Sequence, residues 1–180
     1  MHTCAPLEIL DIGTGAGHFP FLCSKFGHSV LATDIPEGSR DGSFAKDLLP
    51  RNPNWQKPED KNRIYTDIIK LLEVTWSPLR IQPFQALPNF GKKFDLITAF
   101  MINFNKYRKE KTMWEIDEWV FLFEDIIKNQ LTKSGRIFFQ LNRAPDTPGI
   151  QHDNPDLIKN LKKLDSRFEL EDATITLGSF

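Results

Sequence analysis

Residues 8–17 read EILDIGTGAG, and this stretch is the strongest indication of the fold in the sequence. Residues 7–10 form a short apolar run between a proline and a glycine-rich turn, which predicts a β-strand buried on both faces. Gly13, Gly15 and Gly17 follow at alternate positions, where they allow a sharp turn and let a ligand approach the main chain. The stretch therefore predicts a strand followed by a ligand-binding loop.

Length and composition predict one domain that needs neither disulfides nor a metal. A chain of 180 residues is long enough for a single domain with a full core, so we expect residues 1–180 to form one domain. Its 23 basic and 24 acidic residues argue against a long basic surface for nucleic acid. Cys4 and Cys23 have no zinc-ligand or disulfide-framework spacing. No signal-like segment or run of ~18 apolar residues is present, so we expect a cytoplasmic protein without membrane association.

The first half of the chain alternates strands with helices. A phenylalanine-rich helix is predicted after the glycine loop, and HSVLATD (28–34) predicts the second strand. Residues 35–61, rich in proline, glycine and charge, predict a loop insertion. Helical spacing of apolar residues predicts a helix over 62–74, and LRIQPF (79–84) predicts the third strand.

The second half repeats the alternation. Its predicted elements are a strand over 93–102, a helix over 113–131, a strand over 136–142, a helix over 155–164 and a β-rich run over 167–177. Ser134-Gly135 is predicted to end the longer helix. The pattern predicts an α/β fold with a doubly wound, mostly parallel sheet and helices on both faces. The sheet has six strands, or seven if the last run folds back on itself.

Two carboxylates flank the predicted loop. In such sheets ligands bind beyond the carboxyl ends of the strands, and Asp34 stands at the end of strand two, where it can accept both hydroxyl protons of a ribose. Asp11 precedes the first glycine by two residues. The dinucleotide fingerprint G-x-G-x-x-G would need a glycine where His18 stands. The spacing therefore favours a different nucleoside cofactor.

LDIGTGAG resembles the first motif, E/D-x-G-x-G-x-G, of the Rossmann-like (class I) S-adenosylmethionine-dependent methyltransferases, in which the loop passes beneath the methionine part of the cofactor. VLATDI looks like the second motif of that family, FDLITAF like its fourth strand, and LTKSGRIFFQLN like its turn and fifth strand. The resemblance covers residues 7–142. The chain also looks like a group of bacterial methyltransferase-domain proteins that carry AFM-x-x-FN after strand four.

The resemblance implies S-adenosyl-L-methionine as cofactor and a set of residues around it. These residues are Asp11, Gly13, Thr14, Gly15, Gly17, Asp34, Ile35, Gln85, Ala86, Ala99 and Phe100. Asp11 would order the loop and help to hold the amino group of the cofactor. Asp34 would bind the ribose hydroxyls, with Ile35 against the adenine ring. Gln85 stands near the place where the family often has an acidic residue for adenine, and its carbonyl could act as the acceptor. Met101 would face the substrate.

The implied reaction is an in-line displacement of methyl from a positively charged sulfur. The protein then mainly aligns the reactants and excludes water, and a general base is needed only if the acceptor arrives protonated. No catalytic residue is assigned. The candidates near the expected pocket are Asn103, Asn105, Tyr107, Asn142 and Arg143.

Missing motifs narrow the methyl acceptor. No N/D-P-P-Y/F follows strand four and no Pro-Cys lies in the middle of the chain, which argues against nucleic-acid methylation. Ala99-Phe100 offers no carboxylate for a metal-dependent catechol-type site. A small molecule is the expected acceptor, with a protein side chain left open, and the sequence does not indicate the oligomeric state.

Two other functions remain compatible with the sequence. A nicotinamide-dependent oxidoreductase shares the strand, the glycine loop and the ribose carboxylate, although the glycine spacing counts against it. A non-catalytic S-adenosylmethionine-binding module would keep the fold. Strand one begins after only a few residues, without the N-terminal helix that commonly covers the cofactor in the family, and this favours the module.

Overall fold

The computed structural model describes residues 5–35, 67–102, 114–141 and 155–178. The strands are β1 (Glu8–Ile12), β2 (Ser29–Asp34), β3 (Trp76–Pro78), β4 (Phe94–Ile102), β5 (Leu131–Leu141), β6 (Phe168–Glu171) and β7 (Thr174–Leu177). The helices are α1 (His18–Lys25), α2 (Ile116–Asp125) and α3 (Pro155–Leu164). Residues 67–71 are also helical, and a π-helical turn, Ile126–Gln130, follows α2. Most of the predicted loop insertion over 35–61 lies outside the described residues.

All seven strands join one sheet in the order β3-β2-β1-β4-β5-β7-β6. Strands β1 to β5 pair in parallel, and β7 pairs antiparallel with both β5 and β6. The predicted α/β fold is confirmed, with seven strands because the final run folds back as a hairpin. Asp172 and Ala173 at its turn both have positive φ, 50° and 59°, as a tight type I′ turn requires.

The third strand lies earlier in the chain than predicted. Residues 79–84 form no strand, whereas Trp76–Pro78 pairs in parallel with the end of β2. β3 is at the edge of the sheet, where proline is tolerated because one side of the strand has no neighbour that needs its N–H. The ladder continues past Pro78, since Leu79 N donates to Asp34 O at 2.7 Å. A three-residue strand that ends in proline leaves almost no periodic signal.

The predicted helix over 113–131 and its stop signal also needed correction. The helix proper ends at Asp125, the π-helical turn follows, and Leu131 already pairs with Phe94 as the first residue of β5. Gly135 therefore lies inside a strand and does not end a helix. A Cβ at Gly135 would stand 2.5 Å from Leu131 Cγ and 3.0 Å from Phe94 O, so the glycine permits close packing at an irregular register.

Aromatic side chains form the core on one face of the sheet. Phe123 of α2 is fully buried, and its ring centroid lies 5.3 Å from those of Phe139 and Phe168 and 6.0 Å from that of Trp119. Trp114, which precedes α2, packs edge-on against Trp119 at 5.4 Å. The tryptophan-rich segment thus fixes α2 against β5 and β6. In the described residues no helix is long and apolar enough to cross a membrane.

Truncation of Phe123 tests this core. We expect Phe123→Ala to lower the free energy of unfolding by about 3–5 kcal/mol, because it leaves a cavity among three other rings. Phe26→Ala is the matched control, since the Phe26 side chain is 80% exposed, and its effect should stay within about 0.5 kcal/mol. Urea unfolding followed by circular dichroism measures both, and equal effects of the two substitutions would contradict the described packing.

Candidate functional site

The candidate site lies where the sheet order reverses. β1 pairs in parallel with β2 on one side and with β4 on the other, so the loop after β1 and the ends of β2 and β4 meet at one edge. In open α/β sheets this crevice is the usual place of ligand binding. The glycine loop, Asp34 and the tip of β4 are therefore brought together by the topology, as the sequence predicts.

The loop after β1 is folded back onto the end of β2. Gly13 N and Thr14 N both donate to Thr33 O, at 2.8 and 3.0 Å. Gly15 N donates to Asp34 Oδ2 at 2.9 Å. Three successive N–H groups are thus satisfied within the protein. The loop can still offer a ligand its carbonyl oxygens and the space beside it. Any main-chain contact of Gly13, Thr14 and Gly15 with a cofactor would therefore use these oxygens and not the N–H groups.

The glycines of the loop differ in what surrounds them. All three have positive φ, and a Cβ on Gly15, whose φ is 57°, would meet no atom of the described residues within 4 Å. A Cβ on Gly17 would stand 3.2 Å from Ile69 Cγ1 and 3.6 Å from Val74 Cγ2. Gly17 therefore lets the helical residues 67–71 and the turn after them pack against the start of α1. Gly15 is the position that borders open space.

Asp34 joins three segments at the end of β2. Its Oδ2 accepts from Gly15 N, its Oδ1 accepts from Ile35 N at 2.6 Å, and its main-chain oxygen accepts from Leu79 N. A carboxylate is an acceptor of the kind that binds the hydroxyl protons of a ligand. Ile35, 41% exposed, follows directly and offers an apolar surface beside the carboxylate.

Asp11 is a buried carboxylate beneath the loop. It is 2% exposed, and its Oδ1 accepts from Thr98 Oγ1 at 2.6 Å. Burial raises the pKa of Asp11 from 3.8 to about 6, and the negative charge of Asp34 adds to this, while the hydroxyls of Thr98 and Thr14 lower the pKa. The Thr14 hydroxyl is itself buried and, within the described part of the chain, has no hydrogen-bond partner of normal geometry.

The tip of β4 is apolar. Ala99 is fully buried, and its methyl group packs in the core, so its assignment to the cofactor site stays a prediction. Phe100 is half-buried on the face that carries α1, with its ring centroid 4.8 Å from that of Phe19 and 5.5 Å from that of Phe138. Met101 is 62% exposed and has a φ of 53°, an uncommon conformation for a bulky residue.

Gln85 and Ala86 belong to the segment that leads from β3 to β4. Both are exposed, and the next residue is anchored to α2, since Leu87 N donates to buried Asp125 Oδ2 at 2.9 Å. The contacts that join the rest of the site are made among β1, β2 and β4. The assignment of Gln85 and Ala86 to the cofactor site stays a prediction.

Sequence reasoning missed the two threonines that support the site. Thr33 and Thr98 are buried, and each donates its hydroxyl to Asp11, Thr33 Oγ1 to the main-chain oxygen at 3.0 Å and Thr98 Oγ1 to the carboxylate. Their one signal in the sequence is a hydroxyl residue within an otherwise apolar strand. The general-base candidates Asn103, Asn105, Tyr107, Asn142 and Arg143 lie outside the described residues. Within those residues no group of three His, Cys, Asp or Glu side chains could hold a metal ion.

No protein-family model and no curated protein sequence matches this chain. Among solved structures it is similar to a ribosomal protein L11 methylase from Lactobacillus delbrueckii subsp. bulgaricus, with a TM-score of 0.51 and 17% identity over 98% of this chain and 70% of that one. A TehB-like S-adenosylmethionine-dependent methyltransferase from Corynebacterium glutamicum gives a TM-score of 0.46 at 20% identity, over 92% of this chain and 67% of that one.

A further match is the S-adenosylmethionine-bound amino pentose methyltransferase CalS10 from Micromonospora echinaspora, with a TM-score of 0.46 and 14% identity over 79% of this chain and 46% of that one. The chain thus shares the fold of the L11 methylase, with a seven-stranded, mostly parallel sheet. It spans 46–70% of the length of the three.

Burial of Asp11 predicts a pH-dependent stability. Because its folded pKa, about 6, lies above the ordinary 3.8, the folded state binds the proton more tightly, and Asp11 should cost about 3 kcal/mol of stability as the pH rises from 4 to 7. Asp11→Asn removes this cost. We therefore expect the stability of the variant relative to wild type to increase by about that amount between pH 4 and pH 7 in urea unfolding.

Asp165→Asn is the control of opposite sign. The guanidinium of Arg167 holds the pKa of Asp165 below its usual value, so this carboxylate stabilises the fold at neutral pH and loses that effect in acid. Relative to wild type, the control should lose stability as the pH rises. The same pH trend in both variants would show that burial does not govern Asp11.

Proposed function

We propose that the protein is an S-adenosylmethionine-dependent methyltransferase that transfers methyl in line to a small-molecule acceptor. The observation that carries this proposal is the hydrogen-bonded glycine loop: Gly13, Thr14 and Gly15 donate into the end of β2, while a Cβ on Gly15 would meet no atom of the described residues within 4 Å. The loop lies at the edge where the strand order reverses, which is the usual ligand-binding position in open α/β sheets and supports the proposal.

The donor set fits the chemistry of the cofactor. A ribose diol supplies two hydroxyl protons, and the carboxylate of Asp34 at the end of β2 is an acceptor of the matching kind. None of the interactions that set the pKa of Asp11 is with a cation of the described residues, so the ammonium group of an amino acid would compensate its buried charge. Ile35 would cover one face of the adenine ring. When bound, the cofactor supplies a methyl group on a positively charged sulfur.

The residues at the tip of β4 would align the acceptor and exclude water. Phe100 forms a continuous aromatic surface with Phe19 and Phe138, and the exposed Met101 follows it. Apolar walls suit the apolar part of a small molecule and remove water from the path of the methyl group. Because the sulfur of the leaving group is already positively charged, alignment of the reactants can supply most of the rate enhancement. No side chain is assigned as a general base.

Ligand titration tests the proposal. Calorimetry with S-adenosylmethionine, S-adenosylhomocysteine and NAD(H) should give binding of the first two. Asp34→Ala should abolish it, because the variant loses both the ribose acceptor and the group that holds Gly15 N. Glu169→Ala, an exposed change on β6 at the far edge of the sheet, should bind as wild type does.

Other results of the titration separate the competing functions. Binding of NAD(H) alone would point to an oxidoreductase and contradict the proposal, as would binding of none of the three. Binding of S-adenosylmethionine without methyl transfer in a broad acceptor screen would support the non-catalytic module.

A pair of glycine substitutions tests whether the space beside Gly15 is used. Gly15→Ala and Gly27→Ala both place a methyl group at positive φ, 57° and 87°, where the described part of the chain has no atom within 4 Å. Each should cost about 1–2 kcal/mol of stability through backbone strain. Only Gly15→Ala should weaken S-adenosylmethionine binding, by at least about tenfold, because its methyl group occupies the ligand space. Equal affinity of the two variants would place the ligand elsewhere.

A further inference from the structure

A buried hydroxyl–carboxylate pair connects β1 with β4 directly beneath the loop. Asp11 and Thr98 are register partners in the parallel ladder, and each is 2% exposed. Thr98 Oγ1 donates to Asp11 Oδ1 at 2.6 Å, which is short for a hydroxyl donor and typical of a charged acceptor. A buried polar pair of this kind fixes the orientation of both side chains.

We propose that Thr98 is a positioning residue of the cofactor site, which holds the carboxylate of Asp11 in the orientation that receives the ammonium group of S-adenosylmethionine. The inference rests on the proposed function and extends it to a residue on β4. Thr98 does not touch the ligand in this proposal and acts only through Asp11.

The remaining neighbours of Asp11 cannot replace Thr98. The hydroxyl of Thr33 donates to the main-chain oxygen of Asp11, so this hydrogen bond does not fix the orientation of the carboxylate. The Thr14 hydroxyl lies nearby without a hydrogen bond of normal geometry. Among the described residues, the Thr98 bond occupies Oδ1, and no hydrogen bond of normal geometry uses Oδ2. Oδ2 is therefore the atom that would meet a ligand.

The groups around Asp11 increase the importance of the Thr98 hydrogen bond for the ionisation of Asp11. Asp34, at the end of β2, acts on Asp11 with a like charge. On α1, burial raises the pKa of the Cys23 thiol, and the charge of Asp11 raises it further, so this group stays neutral. In the described chain Thr98 is thus the donor with the larger stabilising effect on ionised Asp11, and Thr14 has a smaller one. Without its hydroxyl, Asp11 should keep a proton to higher pH and lose its hold on an ammonium group.

Calorimetric titration with S-adenosylmethionine between pH 5 and pH 8.5 tests the proposal on wild type, Thr98→Val and Thr98→Ser. In Thr98→Val the affinity at pH 7.5 should fall about tenfold, as expected for loss of a hydrogen bond to a charged group. The pH at which binding is half lost should rise by about one unit. Thr98→Ser keeps the hydroxyl and should stay within about threefold of wild type.

Thr33→Val is the matched control, since it removes an equally buried hydroxyl that bonds the main chain of Asp11. It should lower stability without a shift in the pH midpoint of binding. If Thr98→Val shows the wild-type midpoint, or if Thr98→Ser fails to restore binding, the positioning role is wrong. If Thr98→Val does not fold, Thr98→Ala takes its place with the same expectations.

A second measurement separates this proposal from the proposed function. Urea unfolding of the same variants across the same pH range reports the ionisation of Asp11 without a ligand. If wild type binds no S-adenosylmethionine, the proposed function and the role of Thr98 in binding both fail. An upward shift of the unfolding profile in Thr98→Val would then show only that the hydroxyl acts on Asp11. If wild type binds but the variant leaves both profiles unchanged, the Thr98 proposal alone is overturned.

Discussion

The hydrogen bonds from the loop after β1 to the end of β2 are the constraint on which the site depends. Thr33 O receives two N–H groups, and the Asp34 carboxylate receives a third. These bonds hold Gly13 and Gly15, both at positive φ, in one conformation, and no atom of the described residues lies within 4 Å of a Cβ built on Gly15. A chain with the same strands but without an acceptor at position 34 would leave Gly15 N unsatisfied, and the loop would lose its defined shape.

The same constraint brings two carboxylates together at one edge of the sheet. Asp34 is tied to the loop, and Asp11 lies beneath it with an elevated pKa. Burial of like charges near each other is costly unless hydrogen bonds or a cation compensate. Thr98 supplies one of these hydrogen bonds within the fold. A cationic ligand group would supply further compensation for the two negative charges, so the electrostatics of the site favour a cationic ligand.

Local patterns in the sequence predict those features of the site that lie close together in the chain. The loop glycines and the two aspartates stand at recognisable positions relative to apolar runs, and the strands that carry them were predicted from those runs. Thr33 and Thr98 were missed because their role depends on register across three strands, and β1 and β4 pair across more than 80 residues. β3 was misplaced because its pairing ends in Pro78, and Gly135 was misread because its neighbour Leu131 is close only in the folded chain.

The geometry also bears on why the proposed cofactor is S-adenosylmethionine and not a dinucleotide. A dinucleotide loop presents free N–H groups at a helix N-terminus to a pyrophosphate, which carries negative charge. Here the N–H groups of Gly13, Thr14 and Gly15 are used within the protein, and carboxylates lie on both sides. A pyrophosphate would gain no donors from these three groups and would face two like charges. An ammonium group, a sulfonium and a ribose diol instead match what remains: negative charge, acceptor oxygens and space above one glycine.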